Sequence, residues 1–262
     1  MAIPLFVVDA FTDKPFKGNP AAVCPLEHWL DESRMQAIAA ENNLSETAFL
    51  VRAGAAWELR WFTPTVEVDL CGHATVASAF VLSLQGETGP YTFLSKSGEL
   101  RVREADGWFY LDFPVRKIEE IADADAVTYQ VTAACGFRPL HVVRAAGICM
   151  AEFASEAQVR SINPDFARIK AMDFRGLVVT APGETCDFVS RFFAPNVGIN
   201  EDPVTGSVHC GLIPYWHGKT GKSTLQARQV SARGGELRCR LNGQRVEIGG
   251  QAVLFSRGEI SL

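Results

Sequence analysis

A thiol, a glycine and an imidazole stand in a row at Cys71-Gly72-His73, between an acidic strand-like segment and an apolar helix-like segment. Cysteine is a candidate nucleophile, histidine is a candidate proton carrier or metal ligand, and glycine lets a ligand approach the backbone closely. A helix that begins here would also offer unpaired N–H groups and a partial positive charge. The residue types therefore allow four interpretations: a cysteine nucleophile, a metal site, an anion-binding turn or a packed turn.

The chain repeats itself, and the repeat gives this turn a counterpart. Three short blocks of the first half reappear in the same order in the second half, at nearly the same spacing. Residues 57–64 resemble 187–195, residues 85–89 resemble 217–221, and residues 97–102 resemble 234–239. One such match can arise by chance, whereas three in register indicate an internal duplication.

The repeat aligns Cys71-Gly72-His73 with Thr205-Gly206-Ser207, and an apolar helix-like segment follows each turn. Two helix ends that face one cleft between the halves would bind a small carboxylate through backbone N–H groups. Glu201 and Asp202 precede the second turn, where acidic residues also suit plain helix capping. We adopt the capping interpretation for Glu201. For Asp202 we favour a functional one, because a cap does not need the whole acid-Pro-x-Thr-Gly-Ser run.

Periodicity predicts the same elements in both halves. Alternating apolar segments predict many strands, with Asp106-Gly107 as a hairpin turn, and Met35, Ile38 and Ala39 fall on one face of a helix. Residues 74–84 are apolar nearly all round, which is typical of an enclosed helix. We predict an α+β fold with two pseudo-symmetric lobes, each a strand-rich barrel wrapped around a central helix. The lobes span residues 1–115 and 118–250, and the sequence leaves open whether the last strand, 251–262, joins the first lobe.

Composition excludes several classes of function. The net charge is -5 without a basic stripe, so nucleic acid is not an expected partner. The seven cysteines are odd in number and form no C-x-x-C pair, which argues against disulfides and a zinc ribbon. The histidines lack the H-E-x-x-H spacing of a metal site. The chain shows neither a signal peptide nor a membrane-spanning run. We therefore expect a cytoplasmic protein without a membrane partner.

Three motifs carry a resemblance to a known family. The segments "NLSETAF", "RWFTPTVEVDLCGHAT" and "GINEDPVTGS" are similar to the signatures of the PhzF family, isomerases named for phenazine biosynthesis. They occur in family order, and the resemblance extends along the whole chain. It implies the fold of diaminopimelate epimerase, no cofactor, no metal and a homodimer.

The resemblance also implies roles for particular residues. The acid-base catalyst of the family falls on Glu46, and the family's second acid falls on Asp202. His73 joins them as a catalytic residue, while Gly72, His73, Gly206 and Ser207 bind the substrate. The implied activity is a cofactor-independent proton shift on a small carboxylate substrate bound between the lobes.

Two other functions compete with this interpretation. A two-thiol racemase or epimerase would use a cysteine at each helix end, and Cys71 there would have a lowered pKa. Its counterpart, however, is Thr205, and Cys210 lies about one helical turn further along. The second alternative is a non-catalytic protein that only binds a small anion, which does not explain an acid at Glu46.

Overall fold

The strands and helices of the chain occur in an order that repeats between its two halves. The computed structural model describes residues 2–262. It divides into two units, one of residues 2–113 together with 248–262 and one of residues 114–247.

The strands are numbered along the chain. The first eight are β1 (Ala2–Ala10), β2 (Asn19–Leu26), β3 (Glu46–Ala53), β4 (Ala56–Phe62), β5 (Glu67–Val68), β6 (Tyr91–Ser95), β7 (Gly98–Ala105) and β8 (Trp108–Pro114). The next five are β9 (Ile118–Glu120), β10 (His141–Ala145), β11 (Ile148–Glu152), β12 (Leu177–Pro182) and β13 (Phe188–Ala194). The last five are β14 (Ile199–Asp202), β15 (Thr224–Gln229), β16 (Gly235–Asn242), β17 (Arg245–Gly250) and β18 (Ala252–Ser261).

Six α-helices accompany these strands in the described residues. They are α1 (Glu32–Asn42), α2 (Gly72–Leu84), α3 (Ala124–Cys135), α4 (Glu156–Ser161), α5 (Phe166–Lys170) and α6 (Gly206–Thr220). A short 3-10 turn covers Pro195–Val197. None of the helices within residues 2–262 combines the length and the apolar character that a bilayer crossing requires.

Strand pairing repeats from one unit to the other. In the first unit β2 pairs in parallel with β3, β3 antiparallel with β4, β4 in parallel with β6, and β6 antiparallel with β7. In the second unit β11, β12, β13, β15 and β16 follow the same sequence of parallel and antiparallel pairings. A short strand pairs antiparallel just before the apolar helix in each unit, β5 before α2 and β14 before α6. The pairing pattern supports the internal duplication.

The central helix of the first unit is surrounded by strands. α2 packs against β1, β2, β3 and β18, and nine of its residues are buried, including polar ones such as Thr75 and Ser78. Their hydroxyls donate to backbone carbonyls one turn earlier, which satisfies them without water. An apolar helix buried on nearly every side is what the sequence predicted for this segment.

The second unit has a matching helix. α6 packs against β9 and β16, and most of its first three turns are buried. Gly211 lets the helix approach the sheet, because a Cβ there would lie 3.1 Å from Cβ of Ala145 and 3.2 Å from Sδ of Met150. Both units are therefore strand-rich and enclose a helix, and the predicted α+β fold class is confirmed.

Local sequence signals also predicted several smaller features. Met35, Ile38 and Ala39 are the buried residues of α1, as its periodicity indicates. Asp106 and Gly107 both have positive φ, 52° and 73°, as a tight hairpin turn between β7 and β8 requires. The last strand, β18, pairs antiparallel with β1 over its whole length.

Two helices, α3 and α4, were not predicted. α3 follows the charged segment that was interpreted as a linker, and its N-cap is Asp123, whose side chain accepts from the N–H of Ala126. α4 has Ser155 as N-cap in the same arrangement with Gln158. Both caps are of the type that sequence analysis can recognise.

Candidate active site

Glu46 is held at the first position of β3, where the chain leaves α1 and enters the sheet. α1 ends at Asn42, and Asn43 turns the chain with a left-handed backbone conformation (φ 48°). The parallel register with β2 places Glu46 opposite Ala21. Next to it, the hydroxyl of Ser45 donates to the buried side-chain oxygen of Asn19 over 3.1 Å. The backbone that carries the carboxyl group is therefore fixed on both sides.

The side chains of Cys71, His73 and Glu46 make successive close contacts at the start of α2. Sγ of Cys71 lies 3.4 Å from Nδ1 of His73, and Nε2 of His73 lies 3.1 Å from Oε2 of Glu46. The side chains of His73 and Glu46 are only 7% and 12% exposed, so water screens their contact poorly. Although it is this close to the ring, Oε2 accepts no well-aligned hydrogen bond from any described residue.

Burial and charge act in opposite directions on this cluster. Burial raises the pKa of the Cys71 thiol to about 11, the Glu46 carboxylate adds to the increase, and His73 only partly opposes it. For His73, burial lowers the pKa, but the Cys71 and Glu46 side chains outweigh burial, and its pKa rises well above the usual value. Of the two partners, Glu46 is the one in contact with Nε2 of His73, over 3.1 Å.

These directions correct one expectation from the sequence. A thiol at a helix start was expected to have a lowered pKa, and for Cys71 this is wrong. The cause is that loss of hydration, together with the Glu46 carboxylate, outweighs the neighbouring imidazole and a backbone hydrogen bond from Ala74. Cys210 is also buried, within α6, and burial raises the pKa of its thiol to about 11. Burial therefore disfavours a thiolate at either position.

The second turn has the same helix start as the first. α6 begins at Gly206 and is preceded by Thr205, just as α2 begins at Gly72 and is preceded by Cys71. In both helices the first N–H groups have no acceptor within the helix. The hydroxyl of Thr205 does not cap α6 but donates to Oδ2 of Asp202. The threonine thus orients the acid rather than the helix.

Gln229, at the end of β15, clamps this turn and was not predicted from the sequence. Its Oε1 accepts from the N–H of Thr205 over 2.8 Å, and its Nε2 donates to the backbone carbonyl of Asp202 over 2.7 Å. The side chain is fully buried. A usable signal existed, because Leu225, Ala227 and Gln229 share the inward face of β15 and only the last is polar.

Glu201 has a structural partner rather than a helix to cap. Both of its carboxylate oxygens accept from the guanidinium of Arg191, over 2.8 Å and 2.9 Å. The remaining Arg191 nitrogen donates to the carbonyls of Val159 and Ile162, at the end of α4. This arginine therefore joins β13, β14 and α4, and it holds the strand that ends at Asp202.

One group of side chains in the described residues has the chemistry of a metal site. Ligand atoms of Glu46, Cys71 and His73 all lie within 4.8 Å of one another. Carboxylate oxygen, thiolate sulfur and imidazole nitrogen are all common ligands of zinc. The sequence raised a metal site at Cys71 and His73 but argued against it on spacing, and it did not indicate Glu46 as a third member because Glu46 is distant in the chain.

The predicted site residues fall into two groups, one in each unit. The first unit contains Glu46, Gly72 and His73, and the second contains Asp202, Gly206 and Ser207. Within its unit, each group lies at the start of the central helix or in contact with residues there. The catalytic and binding roles of these residues, and a cleft shared by the two helix starts, stay predictions.

Comparison with known proteins extends the resemblance to the whole chain. The model of the family described as phenazine biosynthesis-like protein (PhzC-PhzF) matches residues 8–258. A Pseudomonas aeruginosa protein named as an uncharacterized isomerase is 50% identical over 264 residues, with 100% of both chains covered. A human phenazine biosynthesis-like domain-containing protein is 39% identical, again with 100% of both chains covered.

Solved structures agree with these matches. The crystal structure of a PhzF-family protein from Enterococcus faecalis has a TM-score of 0.96 and 48% identity, with 100% of both chains covered. A hydroxyproline epimerase from Agrobacterium vitis, at 10% identity and a TM-score of 0.61, is similar in fold alone; the match covers 100% of this chain and 93% of that one. The fold, the three motifs and the extent of the matches lead to one conclusion: the chain belongs to the phenazine biosynthesis-like (PhzC-PhzF) protein family.

Proposed function

We propose that this enzyme of the isomerase class moves a proton on a carbon next to a carboxylate or an alkene, with Glu46 as the base and no cofactor. The observation that carries the proposal is the contact of 3.1 Å between Oε2 of Glu46 and Nε2 of His73 in a buried pair. This buried oxygen accepts no well-aligned hydrogen bond from the described residues, so its bonding capacity is not used up within the fold.

The chemistry follows from the charges of the pair. A general base must take a proton from carbon and return it to a different position, and one carboxyl group can do both. His73 contacts the Glu46 carboxyl group and would orient it towards the substrate. The neutral Cys71 thiol takes no part in the transfer and packs against the ring.

The substrate carboxylate would be bound by backbone N–H groups at the helix starts. Gly72 and Gly206 have no side chain to obstruct an approaching anion, and unpaired N–H groups of the first turn stabilise negative charge as it develops. Asp202, oriented by Thr205, would position a polar group of the substrate. The proposed arrangement places the reacting carbon within reach of Glu46.

The test is the exchange of a substrate hydrogen for solvent deuterium, followed by mass spectrometry over a panel of small acids with an activated hydrogen. Glu46→Gln preserves shape and removes the base, and we expect its exchange rate to fall on the order of 10²–10⁴-fold. Glu41→Gln is the matched control, since Glu41 is exposed on α1 and should retain full exchange.

Two further variants separate the proposal from its competitors. Cys71→Ser should exchange at nearly the wild-type rate, and Asp202→Asn should lose less than Glu46→Gln if it only orients the substrate. Full exchange in Glu46→Gln together with its loss in Cys71→Ser would reverse the assignment and favour a thiol mechanism. A homodimer is also proposed, and sedimentation of the purified protein tests it.

A further inference from the structure

The group of Glu46, Cys71 and His73 has a geometry that its proton chemistry does not require. Nε2 of His73 lies 3.1 Å from Oε2 of Glu46 and 4.0 Å from Sγ of Cys71. A single nitrogen is therefore near both other ligand atoms, and all three lie within 4.8 Å of one another. Such a convergence of three different donor types is what a small divalent cation binds.

The separations are close to those of a tetrahedral zinc site. Bonds of about 2.0–2.3 Å to oxygen, nitrogen and sulfur imply ligand–ligand distances of about 3.3–3.6 Å in a tetrahedron. Nε2 of His73 already lies near such distances, 3.1 Å from Oε2 and 4.0 Å from Sγ, so only small side-chain movements separate the group from this geometry. Three protein ligands leave one tetrahedral position open to water or to a carboxylate oxygen.

The charges of the ligands also match a divalent ion. Coordination requires Cys71 as the thiolate and His73 as the neutral ring, so any proton on either ligand atom is released to solvent when the metal binds. One thiolate and one carboxylate then balance the two positive charges, so the buried group is neutral. Oε2 of Glu46, which has no hydrogen-bond partner among the described residues, would gain a coordinate bond to the metal.

We propose that Glu46, Cys71 and His73 form a binding site for a thiophilic divalent cation of the zinc type, with an inhibitory effect on the enzyme. The binding itself is independent of the proposed function, whereas the inhibition rests on it, because the ion would occupy the carboxylate that acts as base. Oxygen-preferring ions such as Mg²⁺ should not bind, since sulfur and imidazole are poor ligands for them.

The test is titration of the purified, reduced protein with Co²⁺, which substitutes for zinc. Coordination of cobalt by a thiolate produces a strong near-ultraviolet charge-transfer absorption, so the band reports Cys71 as a ligand without any substrate. We expect one cobalt per chain, displacement by Zn²⁺, and no displacement by Mg²⁺. Cys71→Ser should abolish the band, and His73→Gln and Glu46→Gln should each weaken binding more than about 100-fold, beyond the loss typical of outer-shell changes.

Control variants distinguish this site from the other thiols. Cys24→Ser removes a buried thiol of the same unit, and Cys186→Ser removes one that is only partly buried. Both should keep the full band. A second readout is thermal melting. Zn²⁺ at about 100 times its dissociation constant should raise the wild-type Tm by about 5–10 °C and leave that of Cys71→Ser unchanged.

Several results would overturn the proposal. A folded wild type without the band contradicts it, and so does a band that persists in Cys71→Ser or disappears in Cys186→Ser. If the band behaves as expected while Zn²⁺ leaves deuterium exchange unaffected, the site stands and the inhibitory role is wrong. If Glu46→Gln retains exchange, the proposed base is wrong, yet the cobalt titration still decides the metal site.

Discussion

Replacing Gln229 with methionine should weaken the second unit without changing its packing. Methionine has a similar length and fills the same space, but it cannot accept from the Thr205 N–H or donate to the Asp202 carbonyl, contacts of 2.8 Å and 2.7 Å. The Thr205 N–H is buried, and an unpaired buried donor costs about 1–3 kcal/mol. The hydrogen bond to the Asp202 carbonyl is only partly buried, so losing that bond adds roughly 1 kcal/mol.

The expected loss in free energy of unfolding is therefore about 2–4 kcal/mol. In a chain of this size, 1 kcal/mol corresponds to about 2–4 °C, so Tm should fall by about 4–16 °C. Urea denaturation followed by circular dichroism measures the free energy. Hydrogen exchange of the peptide that contains residues 202–205 measures whether the turn itself opens more often.

Gln226→Met on the same strand is the matched control. Its side chain is exposed, and its hydrogen bonds to Asp187 are made by its backbone N–H and carbonyl, so the change should stay within about 0.5 kcal/mol. If Gln229→Met is as mild as Gln226→Met and exchange of residues 202–205 is unaltered, the glutamine does not hold the Asp202 turn. The positioning role would then have to be abandoned.

Three other predictions follow from packing, burial and charge. Gly18→Ala should destabilise the first unit by more than about 2 kcal/mol, because the new Cβ would lie 2.1 Å from a backbone oxygen. Gly54→Ala is the control: Gly54 has the same φ of 63°, but no atom lies near its Cβ position, so the change should cost about 1 kcal/mol. Urea denaturation measures both. Burial lowers the pKa of His209 from 6.5 to about 4, so the folded state prefers the neutral ring. The free energy of unfolding should therefore be highest above pH 6.5 and fall by up to about 3 kcal/mol as the pH drops towards 4. Tm measured against pH should show a weaker dependence in His209→Gln than in the wild type. Arg191→Gln should lower the free energy of unfolding by about 3–5 kcal/mol, because it breaks the buried bidentate pair with Glu201. Arg168→Gln breaks an exposed pair with Asp165 and should cost less than about 1 kcal/mol. Equal losses in thermal melting would contradict this ranking.

Features set by neighbouring residues were accessible from the sequence. The buried face of α1 follows from helical periodicity, and the Asp106-Gly107 turn follows from the need for positive φ. The starts of α2 and α6 were found because a glycine precedes a long apolar run in both halves. α3 was missed although its buried residues keep a helical spacing, since its valines and threonines are also common in strands.

Features set by distant pairing were not accessible in the same way. Glu46 meets His73 only because β3 pairs with β2 in a particular register, and motif resemblance rather than local pattern indicated that pair. The pKa of the Cys71 thiol was predicted in the wrong direction, because burial is a property of the folded unit. Gln229 acts on a turn from another strand, a contact that no local spacing encodes.

The pairing of β18 with β1 has a consequence for synthesis on the ribosome. β1 leaves the ribosome first, yet the strand that completes its sheet is residues 252–261, with all of residues 114–247 in between. At about 5–20 residues per second, roughly 10–50 s separate the two strands. During that interval the later unit, which is continuous in the chain, can fold as it emerges. The earlier unit keeps an unpaired strand edge, so the nascent chain is most open to wrong pairing, and to chaperone binding, in the half that was made first.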